Sequence, residues 1–172
     1  MPAARSLSPV ALILVLLLSA APVTAAPEGM EYTDDAALSE VSEGRGVFLV
    51  DIGSPDKLAL YLNLIPGTYQ RLEKQGVDPD FVLVFIGPSV KHLTKPSDSL
   101  ADLEHGEALQ RIRQGIDKLQ SLEDVRLEVC NVALEVMDVA PERLLPGMKI
   151  VSDGFISVIG YQEQGYHLVP VY

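Results

Sequence analysis

The fold of this chain is indicated by two short apolar runs, Val47-Phe-Leu-Val-Asp-Ile52 and Phe81-Val-Leu-Val-Phe-Ile86. Each is continuously apolar for four to six residues, which is typical of strands covered on both faces. Further strands are predicted at 125–130, 148–151 and 166–171, with helices between them. Because strands alternate with helices, the sequence predicts an α/β fold with a mainly parallel five-stranded sheet.

The predicted helices are interrupted or bounded by several prolines. They lie at 55 to about 75, 89–93, 107–122, 131–138 and 155–164. Ser54 can cap the first helix, and Pro55 is tolerated at its first position. Pro66-Gly67 predicts a kink or a split in that helix. Asp78-Pro-Asp80 predicts a turn, and Pro170 predicts that the last strand lies at an edge or ends there, because proline donates no ladder hydrogen bond.

Composition excludes several classes of function. The chain has 172 residues, of which 48% are hydrophobic, and a formal net charge of -11. This length is typical of one domain, and the apolar fraction excludes wholesale disorder. Because acidic residues outnumber basic ones and no basic run occurs, binding to nucleic acid is not expected. Binding to anionic lipid surfaces is disfavoured for the same reason.

The N-terminus has the pattern of a secretory signal peptide. Arg5 precedes an apolar segment that begins at Val10, and small residues follow up to Ala26. The alternative is a membrane anchor, but the apolar core is shorter than the roughly 20 residues that a spanning helix needs. We predict a signal peptide over 1–25, an acidic arm over 26–45 and an α/β domain over 46–172. The processed protein would be periplasmic, with no membrane association after cleavage.

Cys130 is the most suggestive residue, because it is the only cysteine of a chain that we expect to be exported. Such a thiol is buried, cross-linked to another chain or chemically employed. The predicted strand ends at Cys130, where open α/β sheets place ligands, and free amides of the next helix would favour a thiolate. Glu128 on the same strand face would oppose this charge, and Arg126 could offset it. The alternative interpretation is a small buried hydrophobe.

Other candidate residues follow the strands. His92 is the best-placed candidate base, since it comes shortly after the second strand. Gly87 begins a turn whose amides could hold an anion, although the pattern is more typical of a plain turn. Asn131 is a candidate binding residue because it directly follows Cys130. One cysteine and three scattered histidines lack the spacing of a zinc site, so no metal and no cofactor is predicted.

Several segments together resemble the DsrE/DsrF-like family, whose members include sulfur-relay subunits of the TusD kind. The early part consists of 47–52, 69–76 and 81–88. The more specific part is Leu127-Glu-Val-Cys130-Asn-Val-Ala-Leu134, then Leu145-Pro-Gly-Met148 and the closing segment from Gly154 to Tyr166. The resemblance extends from Val47 to the C-terminus. This chain has Ile86-Gly87 where exported members often have a His-Gly pair.

The resemblance implies a three-layer α/β/α domain of the flavodoxin-like type that assembles as a trimer or hexamer. It also implies that Cys130 matches the position that carries sulfane sulfur as a persulfide in sulfur-relay members, so that a sulfur donor or acceptor protein would be a partner. The alternative hypothesis is a non-catalytic oligomeric binding or scaffold protein of the periplasm, in which Cys130 is buried and inert.

Overall fold

The computed structural model describes residues 32–97 and 100–172. The predicted signal peptide and the first residues of the predicted acidic arm lie outside the described residues. Within the described part of the chain, no helix is both long enough and apolar enough to cross a membrane.

Strands and helices alternate along the described chain. The strands are β1 (Glu43–Val50), β2 (Asp78–Phe85), β3 (Val125–Cys130), β4 (Lys149–Val151) and β5 (His167–Val171). The α-helices are α1 (Pro55–Lys74), α2 (Leu100–Glu104), α3 (Gly106–Gln120), α4 (Asn131–Val136) and α5 (Gly154–Glu163). Short 3₁₀ helices occupy Gly87–His92 and Pro141–Arg143.

The strands form one five-stranded sheet in the order β4-β3-β2-β1-β5, and every neighbouring pair is parallel. The predicted parallel α/β sheet is therefore confirmed. In the β1–β2 pair the register runs from Glu43 opposite Asp78 to Val50 opposite Phe85, so both strands end at the same level. The carboxyl ends of these strands consequently lie along one edge of the sheet.

Helices cover both faces of the sheet. On one face, the ring of Tyr69 in α1 packs against Phe81 of β2, with 5.8 Å between ring centroids. On the other face, Gly154 of α5 approaches the side chain of Val84. Val84 is three residues after Phe81 on β2, so the two side chains lie on opposite faces of the sheet. Ser157 of α5 also donates a hydrogen bond to Glu128 of β3. The result is the expected three-layer α/β/α arrangement.

Central position explains why β2 is apolar without alternation. Its residues from Phe81 to Phe85 are all buried, since β1 and β3 flank the strand and helices cover it above and below. The edge strand β5 is mostly exposed and contains Pro170, as predicted from the missing amide donor.

Four local features differ from the sequence-based expectations. β1 begins at Glu43, inside the predicted acidic arm, because Glu43 pairs with Asp78. That same pairing makes the predicted turn at Asp78-Pro-Asp80 the start of β2. α1 continues through Pro66, which is itself buried between Leu62 and Tyr69 in the core. The short helix α2 and the start of α3 precede residue 107, where the sequence predicts that the next helix begins.

Candidate functional site

Cys130 lies at the junction between β3 and α4. It is the last residue of the strand and the N-cap residue of the helix, with extended backbone angles. Its side chain makes no capping hydrogen bond to the amides of α4. The residue is 5% exposed and packs with the hydrophobic core. The location of Cys130 at the end of the strand is therefore as predicted.

A cavity of about 330 Å³ opens beside Cys130. Its wall is predominantly apolar and includes Ile86, Val132, Val136, Met137 and Phe155. Asp51 and Asp153 add two carboxylates to this wall, and Gly87 adds backbone. Cys130 is thus largely covered by protein and yet forms part of the surface of a space large enough for a small molecule.

The sheet topology brings these residues together. Asp51, Ile86, Cys130 and Asp153 each lie at or just beyond the carboxyl end of a different strand, from β1 to β4. After β3 the chain enters α4, which packs against the 3₁₀ helix at Gly87–His92 and hence on the α1 side. After β4 the chain enters α5 on the opposite face. The cavity therefore lies where successive connections diverge, which is where open α/β sheets form binding crevices.

Two glycines allow the close packing around the cavity. Gly87 has a φ of 52°, in the left-handed region, and a Cβ atom there would collide with a carboxylate oxygen of Asp51. A Cβ atom at Gly154 would lie 2.5 Å from Cγ2 of Ile86 and 3.1 Å from Cβ of Cys130. α5 can therefore begin directly against the cysteine only because residue 154 has no side chain.

Of the predicted site residues, the structure brings Cys130 and Gly87 together in the cavity wall. Asn131 is directed elsewhere, since its amide nitrogen donates a 2.6 Å hydrogen bond to Oε1 of Glu135. His92 is not part of the cavity wall, and its Nε2 donates a 2.9 Å hydrogen bond to the Gly53 carbonyl. Burial lowers the pKa of His92 despite that hydrogen bond, so its imidazole favours the neutral form.

Glu128 faces the α5 layer, as the strand alternation from Cys130 predicts. Its carboxylate is buried and accepts hydrogen bonds from Lys149 Nζ at 2.9 Å, Tyr161 at 3.0 Å and Ser157. Burial raises the pKa of Glu128, but these hydrogen bonds and the Lys149 charge outweigh burial, and the pKa is lowered. The carboxylate is therefore a stably charged group with its own partners.

The expected compensation of Glu128 by Arg126 is not formed. Arg126 instead donates hydrogen bonds to Asp80 and to the Tyr166 hydroxyl, which in turn donates to Asp80 at 2.5 Å. Its guanidinium carbon also lies 5.4 Å from the ring centroids of Tyr161 and Tyr166. The charge that offsets Glu128 comes from Lys149 on the neighbouring edge strand.

Asp51, Asp153 and Phe155 belong to the site but are absent from the sequence-based candidates. A usable signal exists for the two aspartates, because each follows a strand whose carboxyl end must lie at the same edge as Cys130. Asp153 also caps α5, accepting a 2.8 Å hydrogen bond from the Phe155 amide. Phe155 has no such signal, since its position depends on how α5 crosses the sheet.

The donor groups around the cavity bear on what it could hold. In residues 32–97 and 100–172, no cluster of three or more histidine, cysteine, aspartate or glutamate side chains is arranged to bind a metal ion. The reactive atom that the wall supplies is the sulfur of Cys130, set among apolar side chains. This arrangement suits covalent or non-covalent binding of a small molecule at a thiol.

Comparisons with known proteins agree with this architecture. A protein similar in fold is MTH1491 from Methanobacterium thermoautotrophicum, described as a protein of unknown function, with a TM-score of 0.56, 19% identity, and coverage of 75% of this chain and 98% of that one. The ychN protein from E. coli is also similar, with a TM-score of 0.52, 12% identity, and coverage of 76% and 98% respectively. Comparison with curated proteins gave no match to this chain.

At these identities the solved structures establish the fold alone. The model of the DsrE/DsrF-like family matches residues 46–171, which is nearly the whole described domain. The match includes all of the strand ends that form the Cys130 cavity. The chain therefore belongs to the DsrE/DsrF-like family.

Proposed function

We propose that this protein is a sulfur carrier that accepts sulfane sulfur on Cys130 as a persulfide and transfers it to an acceptor thiol. The observation that carries the proposal is that Cys130 lies in the wall of an open cavity of about 330 Å³, although most of its surface is covered. A covered but reachable sulfur suits a carrier, because a persulfide needs access for exchange and protection from bulk solvent. Membership of a family linked to sulfur relay supports the same role.

The chemistry needs no added oxidant. The Cys130 thiolate attacks the sulfane sulfur of a donor, a new S–S bond forms, and the S–S bond of the donor breaks with its electron pair leaving on the departing group. In the second step an acceptor thiolate attacks the outer sulfur of the persulfide. The S–S bond at Cys130 then breaks, and the electron pair returns to the Cys130 thiolate.

Intact mass spectrometry tests this proposal. The folded protein is incubated with an uncharged dialkyl trisulfide, desalted and weighed, and we expect a mass gain that includes at least one sulfane sulfur atom and that dithiothreitol removes. Cys130→Ser is the matched control and should gain nothing. An unchanged mass, with the thiol of Cys130 still free to react with an alkylating reagent, would contradict the carrier role.

The second candidate is a non-catalytic binding or scaffold protein with an inert cysteine. The observation in its favour is the 5% exposure of Cys130, because most unpaired cysteines of this kind act as small core hydrophobes. Under this alternative a maleimide modifies Cys130 only after unfolding. Rapid modification of the native protein would favour the carrier instead.

We further propose that the chain is exported to the periplasm and acts as a homo-oligomer. The N-terminal sequence pattern supports export, with Ala26 as the first residue of the processed chain. Self-association is supported by the outer surface of α5, where Phe155, Ile156 and Ile159 are each at least 60% exposed. Cell fractionation and the intact mass of the recovered protein test the first part, and sedimentation velocity tests the second.

A further inference from the structure

The cavity beside Cys130 combines an apolar wall with negative charge. Val132, Val136, Met137 and Phe155 supply apolar surface, while Asp51 and Asp153 place carboxylates at the same space. Within the described part of the chain, no lysine, arginine or histidine contributes to this wall. A small anion that entered the cavity would lose its hydration and gain no opposite charge.

Local contacts place both carboxylates beside the cavity. Asp153 is held as the N-cap of α5 by its hydrogen bond from the Phe155 amide. Asp51 packs against Gly87, where any side chain would collide with the carboxylate. The net charge of the whole chain, -11, acts in the same direction at longer range.

We infer that the Cys130 cavity selects uncharged sulfane-sulfur compounds, such as organic polysulfides, and excludes small anionic donors such as thiosulfate. The inference rests on the proposed carrier function and names its substrate class. With an organic trisulfide, the Cys130 thiolate attacks the central sulfur, an alkylthiolate leaves with the electron pair of the broken S–S bond, and Cys130 becomes a mixed alkyl trisulfide. A small thiolate then attacks the sulfur that bears the alkyl group, a disulfide leaves, and the persulfide anion of Cys130 retains the electron pair. Asp51 and Asp153 act as specificity residues that never touch the reacting bond.

A charge series of thiol reagents measures this selectivity directly. Methanethiosulfonates whose alkylthio group carries a sulfonate, no charge or a trimethylammonium group are similar in size. Each transfers that alkylthio group to a thiolate, so that a mixed disulfide forms and methanesulfinate leaves with the electron pair of the broken S–S bond. Rates on the folded protein are divided by rates on the same protein unfolded in urea. We expect the sulfonate reagent to be at least about tenfold slower than the neutral one, since each carboxylate contributes roughly threefold to tenfold.

Variants and salt separate charge from shape. Asp51→Asn and Asp153→Asn conserve size and should each reduce the discrimination severalfold, whereas Asp117→Asn, an exposed change on α3, should leave it unchanged. Raising the ionic strength of the wild-type protein should also reduce it, because added salt screens charges beyond a few ångströms. The salt series keeps the test decisive even where an aspartate variant fails to fold.

The same protein is then weighed after incubation with diallyl trisulfide or with thiosulfate, and only the trisulfide should modify Cys130. If thiosulfate modifies it as fast, or if the sulfonate reagent shows no penalty, the selectivity is overturned while the carrier function stands. If the charge series behaves as expected but no donor delivers sulfane sulfur, the carrier function fails and with it this substrate class. Lack of reaction with all three reagents in the folded state overturns both.

Discussion

Glu128 and Cys130 lie two residues apart on the same face of β3, yet their surroundings differ in polarity. Glu128 is 1% exposed and is held by Lys149, Ser157 and Tyr161, so its charge is locally neutralised. Cys130 lies among apolar side chains at the strand end. A strand of this sheet thus carries a structural ion pair next to the candidate reactive residue, and the partners of Glu128 keep its charge from dominating the cavity.

The first prediction concerns the partners of Glu128. Glu128→Gln conserves size but removes the charge and presents amide hydrogens to three donors, so we expect a loss of about 1–3 kcal/mol in the free energy of unfolding. The loss stays below that for a fully buried pair because Lys149 is 71% exposed and regains water. Urea denaturation at neutral pH measures it. Glu163→Gln, an exposed change at the end of α5, should alter stability by less than about 0.5 kcal/mol.

The pH dependence of this pair gives a second prediction. Because the native pKa of Glu128 is lowered from its ordinary value of 4.5, the charged carboxylate stabilises the fold above pH 4.5. That contribution is lost as the pH falls from 4.5 through the lower native pKa, where the carboxylate becomes protonated. The stability difference between wild type and Glu128→Gln should therefore shrink over this acid range. A difference that stays constant in urea titrations down to that range would contradict the assignment.

At the scale of elements, α5 links the site to the outer surface of the molecule. Asp153 caps the helix, and Gly154 begins it in contact with Ile86 and Cys130. The same helix exposes the large apolar side chains of Phe155, Ile156 and Ile159 at the molecular surface. The residues of α5 must therefore satisfy two requirements: close packing beside the cavity, and an apolar outer surface that a partner could cover.

Two glycines of α5 form a matched pair for the third prediction. Gly154→Ala places a methyl group against Ile86 and Cys130, so we expect a loss of about 1–3 kcal/mol in the free energy of unfolding and altered thiol reactivity at Cys130. Gly160→Ala meets no atom within 4 Å and should stabilise the helix by roughly 0.5–1 kcal/mol. Thermal unfolding and the rate of maleimide labelling measure both effects. Equal behaviour of the two variants would argue against the close approach of α5 to the cysteine.

The elements also explain which parts of the fold are predictable. The apolar runs of β1 and β2 and the capping pair Ser54 and Pro55 act locally, so sequence alone locates these elements. Pro66 and Pro79 are misleading, since each is a local breaker that tertiary packing overrides. Pro66 is buried within α1, and Pro79 pairs with Gly44 near the start of β2. Contacts with residues distant in the sequence determine the structure at both positions, and such contacts cannot be predicted from a local sequence pattern.

For the whole molecule, the same reasoning applies to the candidate site. Cys130 and Gly87 are predictable because Cys130 ends one strand and Gly87 closely follows another, and parallel strands end at one edge. His92 follows a strand too, but the 3₁₀ helix turns its ring toward Gly53. Phe155 enters the cavity wall only through the path of α5 across the opposite face. Residues at strand ends are thus accessible to sequence analysis, whereas residues brought in by helix packing are not.

The last prediction concerns assembly. The outer face of α5, formed by Phe155, Ile156 and Ile159, is apolar and exposed, and such a patch usually belongs to an interface. We expect the native protein to sediment as a trimer or hexamer and Ile159→Glu to sediment as a smaller species, because a buried unpaired carboxylate is costly. Leu60→Glu, an equally large change at an exposed position on α1, should leave the assembly intact. Dissociation by Leu60→Glu alone would instead assign the interface to α1. Since Phe155 belongs both to this face and to the cavity wall, assembly through α5 should also slow the labelling of Cys130, and labelling rates measured across protein concentration would reveal that coupling.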